Sequence, residues 1–190
     1  METLRTFIAL ELPEQAKKKL SLLQQKFMEG TAGVKWVKPD NIHLTLKFLG
    51  STREDKAEEV SRVLEQAAQG VSPFVFDIAG IGAFPNTKNP KVLWAGLSAD
   101  ERLSAFQEGL ETALAAIGFS REDRPFSPHL TFGRLKDGRA RKELSGLLEK
   151  LSNENIGRVE ASHVIFFRSD LQPSGPVYSA IKDIELSAKK

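Results

Sequence analysis

Two tetrapeptides in this 190-residue chain carry the residue types for acid–base chemistry on an anion. His43-Leu44-Thr45-Leu46 recurs as His129-Leu130-Thr131-Phe132, 86 residues later and close to half a chain length on. In an extended strand, residues i and i+2 share a face. Each copy therefore presents an imidazole and a hydroxyl together and turns its apolar residues the other way. An unperturbed imidazole titrates near pH 6.5, so of two facing copies one can give a proton while the other takes one. Threonine hydroxyls donate to phosphate oxygens. If the two strands face each other, two imidazoles and two hydroxyls surround an anion, which suits opening or forming a phosphodiester. A lone histidine on a half-buried strand is more often structural, and the recurrence argues otherwise here. With three histidines and eight threonines in the chain, the chance that two histidines find a threonine two positions on is on the order of half a per cent. The third, in Ser162-His163-Val164, lacks that partner and reads as structural.

Composition removes rival chemistries. The chain has no cysteine, which excludes a disulfide, a cysteine nucleophile, a thiolate zinc site and an iron–sulfur cluster, and suits a reducing cytoplasm. Two histidines with threonines are too few ligands for zinc, and no Asp or Glu cluster lies in the motif strands, so neither metal nor cofactor is expected. Gly80-Ile81-Gly82 lacks a following Gly-Lys-Ser/Thr, so ATP is not implied. A net charge of +2 falls short of a coating for duplex DNA and fits a small or terminal anionic ligand. The opening METLRTFIALELP has no basic start or long apolar core, and no stretch approaches a membrane span. A soluble, cytoplasmic monomer with no membrane partner is expected.

The elements that must position the motifs follow from periodicity and punctuation. Residues 4–12 suit a strand. Pro13 opens a helix, with Leu20, Leu23 and Phe27 on its apolar face, that stops at Gly30. Residues 34–37 suit a short strand. Residues 42–49 alternate, with Ile42, Leu44, Leu46 and Phe48 on one face and His43, Thr45 and Lys47 on the other. Ser51 or Thr52 is expected to cap a helix to about Gln69. Strands follow over 74–84 and 91–97, then a helix capped by Ser98 or Asp100 and ending near Gly118. A strand over 128–135, a helix over 139–151, and strands over 159–168 and 176–186 complete the chain. Mixed helices and strands with short late loops give an α+β class with antiparallel pairing. No linker divides the chain, so residues 1–190 read as one domain of two similar lobes sharing one cleft.

The chain resembles the 2H phosphoesterase superfamily, and within it the RNA 2′,3′-cyclic phosphodiesterases, historically called 2′–5′ RNA ligases. The resemblance covers essentially the whole chain. It rests on Arg5-Thr6-Phe7-Ile8-Ala9-Leu10, on Val34-Lys35-Trp36-Val37 and on the two motifs in their flanks, Asn41 to Gly50 and Phe126 to Arg134. The tail from Ser169 to Tyr178 adds to it. It implies a bilobed fold with pseudo-two-fold symmetry, antiparallel sheets around a central cleft and helices outside. It implies metal-independent hydrolysis of an RNA-terminal or nucleoside 2′,3′-cyclic phosphate to a 2′-phosphate. His43 would be the general acid toward the departing 3′ oxygen, His129 the general base, and Thr45 and Thr131 the phosphate ligands. The residues alone do not say which histidine does which. Ligation to a 5′-hydroxyl at the same site, and non-catalytic binding of RNA ends, remain the alternatives.

In that family, residues at the positions of Phe48 and Arg134 help hold the terminal nucleotide by stacking and by pairing with phosphate. Both lie five past a motif histidine, so an ideal strand would turn them away from it. A role for either requires a bulge or a strand end near Lys47 and Gly133. Core packing is the alternative for Phe48; Trp36 reads as core, with lining the cleft as its alternative, and Lys17 to Lys19 as a solvated helix face.

Overall fold

The computed structural model describes residues 3–98, 101–173 and 175–188. The chain runs β1 (Thr3–Leu10), α1 (Glu14–Met28), β2 (Val34–Trp36), a 3-10 turn (Pro39–Asn41), β3 (Leu44–Arg53), α2 (Glu54–Ala68), β4 (Phe74–Phe84) and β5 (Val92–Leu97). It continues through α3 (Glu101–Ala116), β6 (His129–Leu135), α4 (Arg141–Lys150), β7 (Asn155–Ala161), β8 (His163–Gln172) and β9 (Gly175–Glu185). The strands form two sheets, ordered β3-β1-β8-β9 and β2-β6-β5-β4-β7. Every pairing is antiparallel.

Helices cover one face of each sheet. In α2, Ala57, Val60, Leu64 and Ala68 recur every three or four residues and are buried, the spacing of a single helical stripe. Ala16, Leu20, Leu23 and Phe27 do the same in α1. α2 and α3 pack together against the first sheet, and α1 and α4 lie on the second. Leu44, Leu46, Leu130 and Phe132 point to this side, each at most 3 % exposed. The other faces of the two sheets look at each other across a cleft lined from both. Among the described residues, no helix is long and apolar enough to cross a membrane.

Several boundaries differ from expectation. Gly50 does not end β3, because its positive φ of 69° lets the strand continue through it to Arg53. Thr52 then caps nothing. It is buried, and its hydroxyl lies 2.6 Å from that of Thr6. Ser98 accepts from the Asp77 amide at 2.9 Å instead of capping α3, and Asp100 lies outside the described residues. The expected strand over 159–168 is two strands in different sheets, changing sheet at Ser162. No glycine or proline marks that crossing. Lys17 to Lys19 is not a wholly solvated face. Lys17 is 7 % exposed and held by Glu11 and Glu14, and Lys19 donates to the Ile156 carbonyl at 2.9 Å.

Candidate active site

Both motif strands are bulged at the same place. Along β1 and β3 the register passes from Ala9↔Thr45 to Ile8↔Lys47, leaving Leu46 unopposed. Along β5 and β6 it passes from Trp94↔Thr131 to Leu93↔Gly133, leaving Phe132 unopposed. Each bulge falls on the fourth residue of its motif. One extra residue exchanges the faces of everything after it. Phe48 and Arg134 therefore join the histidines and threonines on the cleft side, while Lys47, 3 % exposed, turns to the helix side. The simple alternation expected through Lys47 is corrected by this bulge.

A bulged residue leaves the ladder, and its buried carbonyl needs another donor. A buried glutamine reaches it in each half, alone at Leu46 and beside the Val37 amide, which donates to Phe132 O at 3.0 Å. Gln24 of α1 donates to Phe132 O at 2.8 Å and to Val37 O at 2.6 Å, and Gln107 of α3 donates to Leu46 O at 3.3 Å. Sequence reading missed both. Their only signal is an amide on a largely apolar helical stripe.

His43, Thr45, Phe48, His129, Thr131 and Arg134 all line one cavity of about 440 Å³. That volume lies within the usual range of small-ligand sites. His43 Nδ1 lies 2.8 Å from Asn41 O, and His129 Nδ1 lies 2.7 Å from Ser127 O. A carbonyl can only accept, so each ring carries a proton on Nδ1 and keeps Nε2 for a ligand. Asn41 also donates from Nδ2 to Pro176 O at 2.9 Å, which fastens the start of the first motif to β9.

The surroundings of the two rings differ. Phe7 stacks on His43 with centroids 4.7 Å apart, Tyr178 meets it edge-on at 5.4 Å, and Phe167 lies 6.2 Å away. His129 meets Phe84 edge-on at 5.0 Å. Burial pushes the His43 imidazole down to about 4, against the Asn41 carbonyl, which favours the proton. Unliganded, His43 is therefore neutral at pH 7.

That shift has a consequence for stability. As pH falls, the unfolded chain takes up the His43 proton first, near 6.5, and the folded chain only near 4. The contribution is complete above pH 6.5 and drains as pH falls from 6.5 to 4, by up to about 3 kcal/mol. His43→Asn is expected to flatten urea midpoints over that window. An unchanged slope in the variant would assign the acid loss to another group.

Trp36 does more than fill core. Its ring lies nearly parallel to that of Phe132, 6.4 Å away, and a Cβ at Gly133 would come within 3.1 Å of it, yet it also lines the cleft. Burial raises the Tyr178 phenol, while the Arg134 and Arg5 guanidiniums pull the other way. His163 stands apart from the cleft, its Nδ1 2.8 Å from Asp183 Oδ1. Among the described residues, no group of three or more His, Asp or Glu side chains gathers as metal ligands.

A family model for LigT-like phosphoesterases matches residues 10–94 and 96–178. The chain belongs to the LigT-like phosphoesterase family. It is 36% identical over 182 residues to the RNA 2′,3′-cyclic phosphodiesterase of Methanothermobacter thermautotrophicus, covering 96% of this chain and 98% of that one. The RNA 2′,3′-cyclic phosphodiesterase of Thermotoga maritima is 35% identical over 182 residues, covering 96% and 95%. A crystal structure of a Thermus thermophilus protein superposes with a TM-score of 0.83 at 30% identity, covering 98% of this chain and all of that one. Like the expected 2H fold, the LigT-like architecture here is bilobed and α+β, with antiparallel sheets facing a cleft and helices outside.

Proposed function

We propose that the protein hydrolyses terminal 2′,3′-cyclic phosphates of RNA, without a metal, to 2′-phosphates. One observation carries the reading: two bulge-matched His–x–Thr strands line one cleft, each imidazole tethered at Nδ1 and free at Nε2. The names of the relatives support the substrate class.

The Thr45 and Thr131 hydroxyls donate to the non-bridging phosphate oxygens. His129 Nε2 takes a proton from water as the water oxygen bonds to phosphorus. The bond from phosphorus to O3′ breaks, and His43 gives its proton to that oxygen. The products are a free 3′-hydroxyl and a 2′-phosphomonoester, and proton exchange with solvent resets both rings. The family resemblance supplies this assignment of roles. Free-state burial alone would suit His43 as the acceptor. The anion resolves the tension, because a bound phosphate brings the negative charge that lets a buried imidazole hold a proton. Phe48 offers a face for the terminal base, and Arg134 a guanidinium for phosphate or base.

Incubation with a nucleoside 2′,3′-cyclic phosphate in EDTA is expected to give the 2′-monophosphate, resolved from the 3′-isomer by chromatography. No turnover would sink the hydrolase. Turnover that EDTA abolishes would sink the metal-free mechanism, and a 3′-monophosphate would overturn the choice of leaving oxygen.

A further inference from the structure

The cleft carries more positive charge than its reacting group needs. Arg5, Lys35, Lys38 and Arg134 all line it, and among the described residues no carboxylate lines it with them. Among the described residues, none of the four has a carboxylate partner. Some cations elsewhere are paired, among them Lys17, Lys47, Arg121, Arg139 and Arg168, while the cleft gathers four cations without a carboxylate. A cyclic phosphodiester has a single negative charge, so one guanidinium and the motif hydroxyls suffice for it.

The surplus is placed along the cleft. Lys35 stands directly opposite Arg134 across β2 and β6, and Lys38 follows just beyond the end of β2. On the facing sheet, Arg5 is two residues from Phe7, the ring stacked on His43, hence on the same face and roughly 7 Å further along β1. Arg5 and Arg134, from opposite sheets, both act on the Tyr178 phenol, so the cationic field spans the opening. Like charges gathered around one cleft repel each other, and an anion between them relieves that repulsion.

We propose that Arg5, Lys35 and Lys38 form a subsite for the phosphodiesters immediately upstream of the reacting phosphate, so that an RNA chain end is held more tightly than a mononucleotide. This rests on the proposed function for the identity of the reacting group. It assigns three side chains to a ligand segment that the two motifs do not touch.

Equilibrium binding tests it without turnover. The probes are a nucleoside 2′-monophosphate and a trinucleotide ending in a 2′-phosphate, titrated over roughly 50–300 mM KCl. The trinucleotide is expected to bind at least about tenfold tighter at low salt, with a log–log salt slope steeper by about 0.7 for each extra phosphate neutralised. In the triple variant Arg5→Gln/Lys35→Gln/Lys38→Gln, the slope difference is expected to vanish. Equal slopes for the two probes in the parent protein would overturn the subsite, as would a difference that survives in the triple variant. Turnover of a nucleoside cyclic phosphate separates the two readings. Turnover with equal slopes removes only the subsite, and a slope difference without turnover removes only the hydrolase.

Discussion

Turnover of a nucleoside 2′,3′-cyclic phosphate falls by about 10²–10⁴-fold in His43→Ala and likewise in His129→Ala. The two losses are distinguishable by the leaving group. When sulfur replaces the bridging 3′ oxygen, a thiolate leaves without needing a proton. The variant lacking the general acid then keeps most of its rate on the sulfur substrate, while the variant lacking the base stays slow on both. With the proposed roles, His43→Ala is the rescued variant. Rescue of His129→Ala instead would exchange the roles, as free-state burial of His43 by Phe7, Phe167 and Tyr178 would suggest on its own. A near parental rate in either alanine variant on the oxygen substrate would end the two-histidine mechanism.

The second large effect concerns a residue far from any substrate. Glu111→Leu is expected to cost about 3–5 kcal/mol of folding stability, because it strands a buried ammonium. The Lys47 and Glu111 side chains are 3% and 5% exposed and meet at 2.8 Å. Lys47 also donates to Ser120 O at 2.6 Å. Glu111 accepts from the Glu122 amide and from Gln107 Nε2, both at 3.2 Å. One network thus joins the first motif strand just past its bulge, helix α3 and the loop that leads to the second motif. Lys47→Met/Glu111→Leu removes both charges and is expected to recover much of the loss, read by urea unfolding at pH 7. A double variant as unstable as Glu111→Leu would shift the cost from the unpaired charge to the lost bonds to the loop backbone.

What could be read from the sequence follows from the range of each signal. The paired His–x–Thr pattern is local, and period-two alternation fixed which side chains share a face, so the four motif side chains were legible. The bulge needed by Phe48 and Arg134 could be stated as a condition but not located. It is a property of two strands in register, and β1 and β5 are distant in sequence from the residues they oppose. Lys47 shows the same limit. Its alternation matches His43 and Thr45, and only the bulge turns it toward Glu111. The crossing at Ser162 was hidden because only the polar pair Ser162-His163, with no glycine or proline, separates the two apolar stretches. Phe7, Tyr178, Arg5 and Lys38 join the cleft only once the sheets are assembled; the first three lie in segments that carry the family resemblance, but no local pattern gives any of them a role.

The interleaving of the two sheets governs when a site can exist at all. β6 lies between β2 and β5, and β8 lies against β1. A nascent chain that has emerged through β5 already carries the first motif, but its edge strand β2 has no neighbour and β1 has an open side. Pairings so distant in sequence make for slow folding, since long loops must close before those contacts form. The first copy of the motif, on β3, can pair with β1 early, whereas the second waits for β6. The cleft with both histidines is among the last features the chain completes during its synthesis.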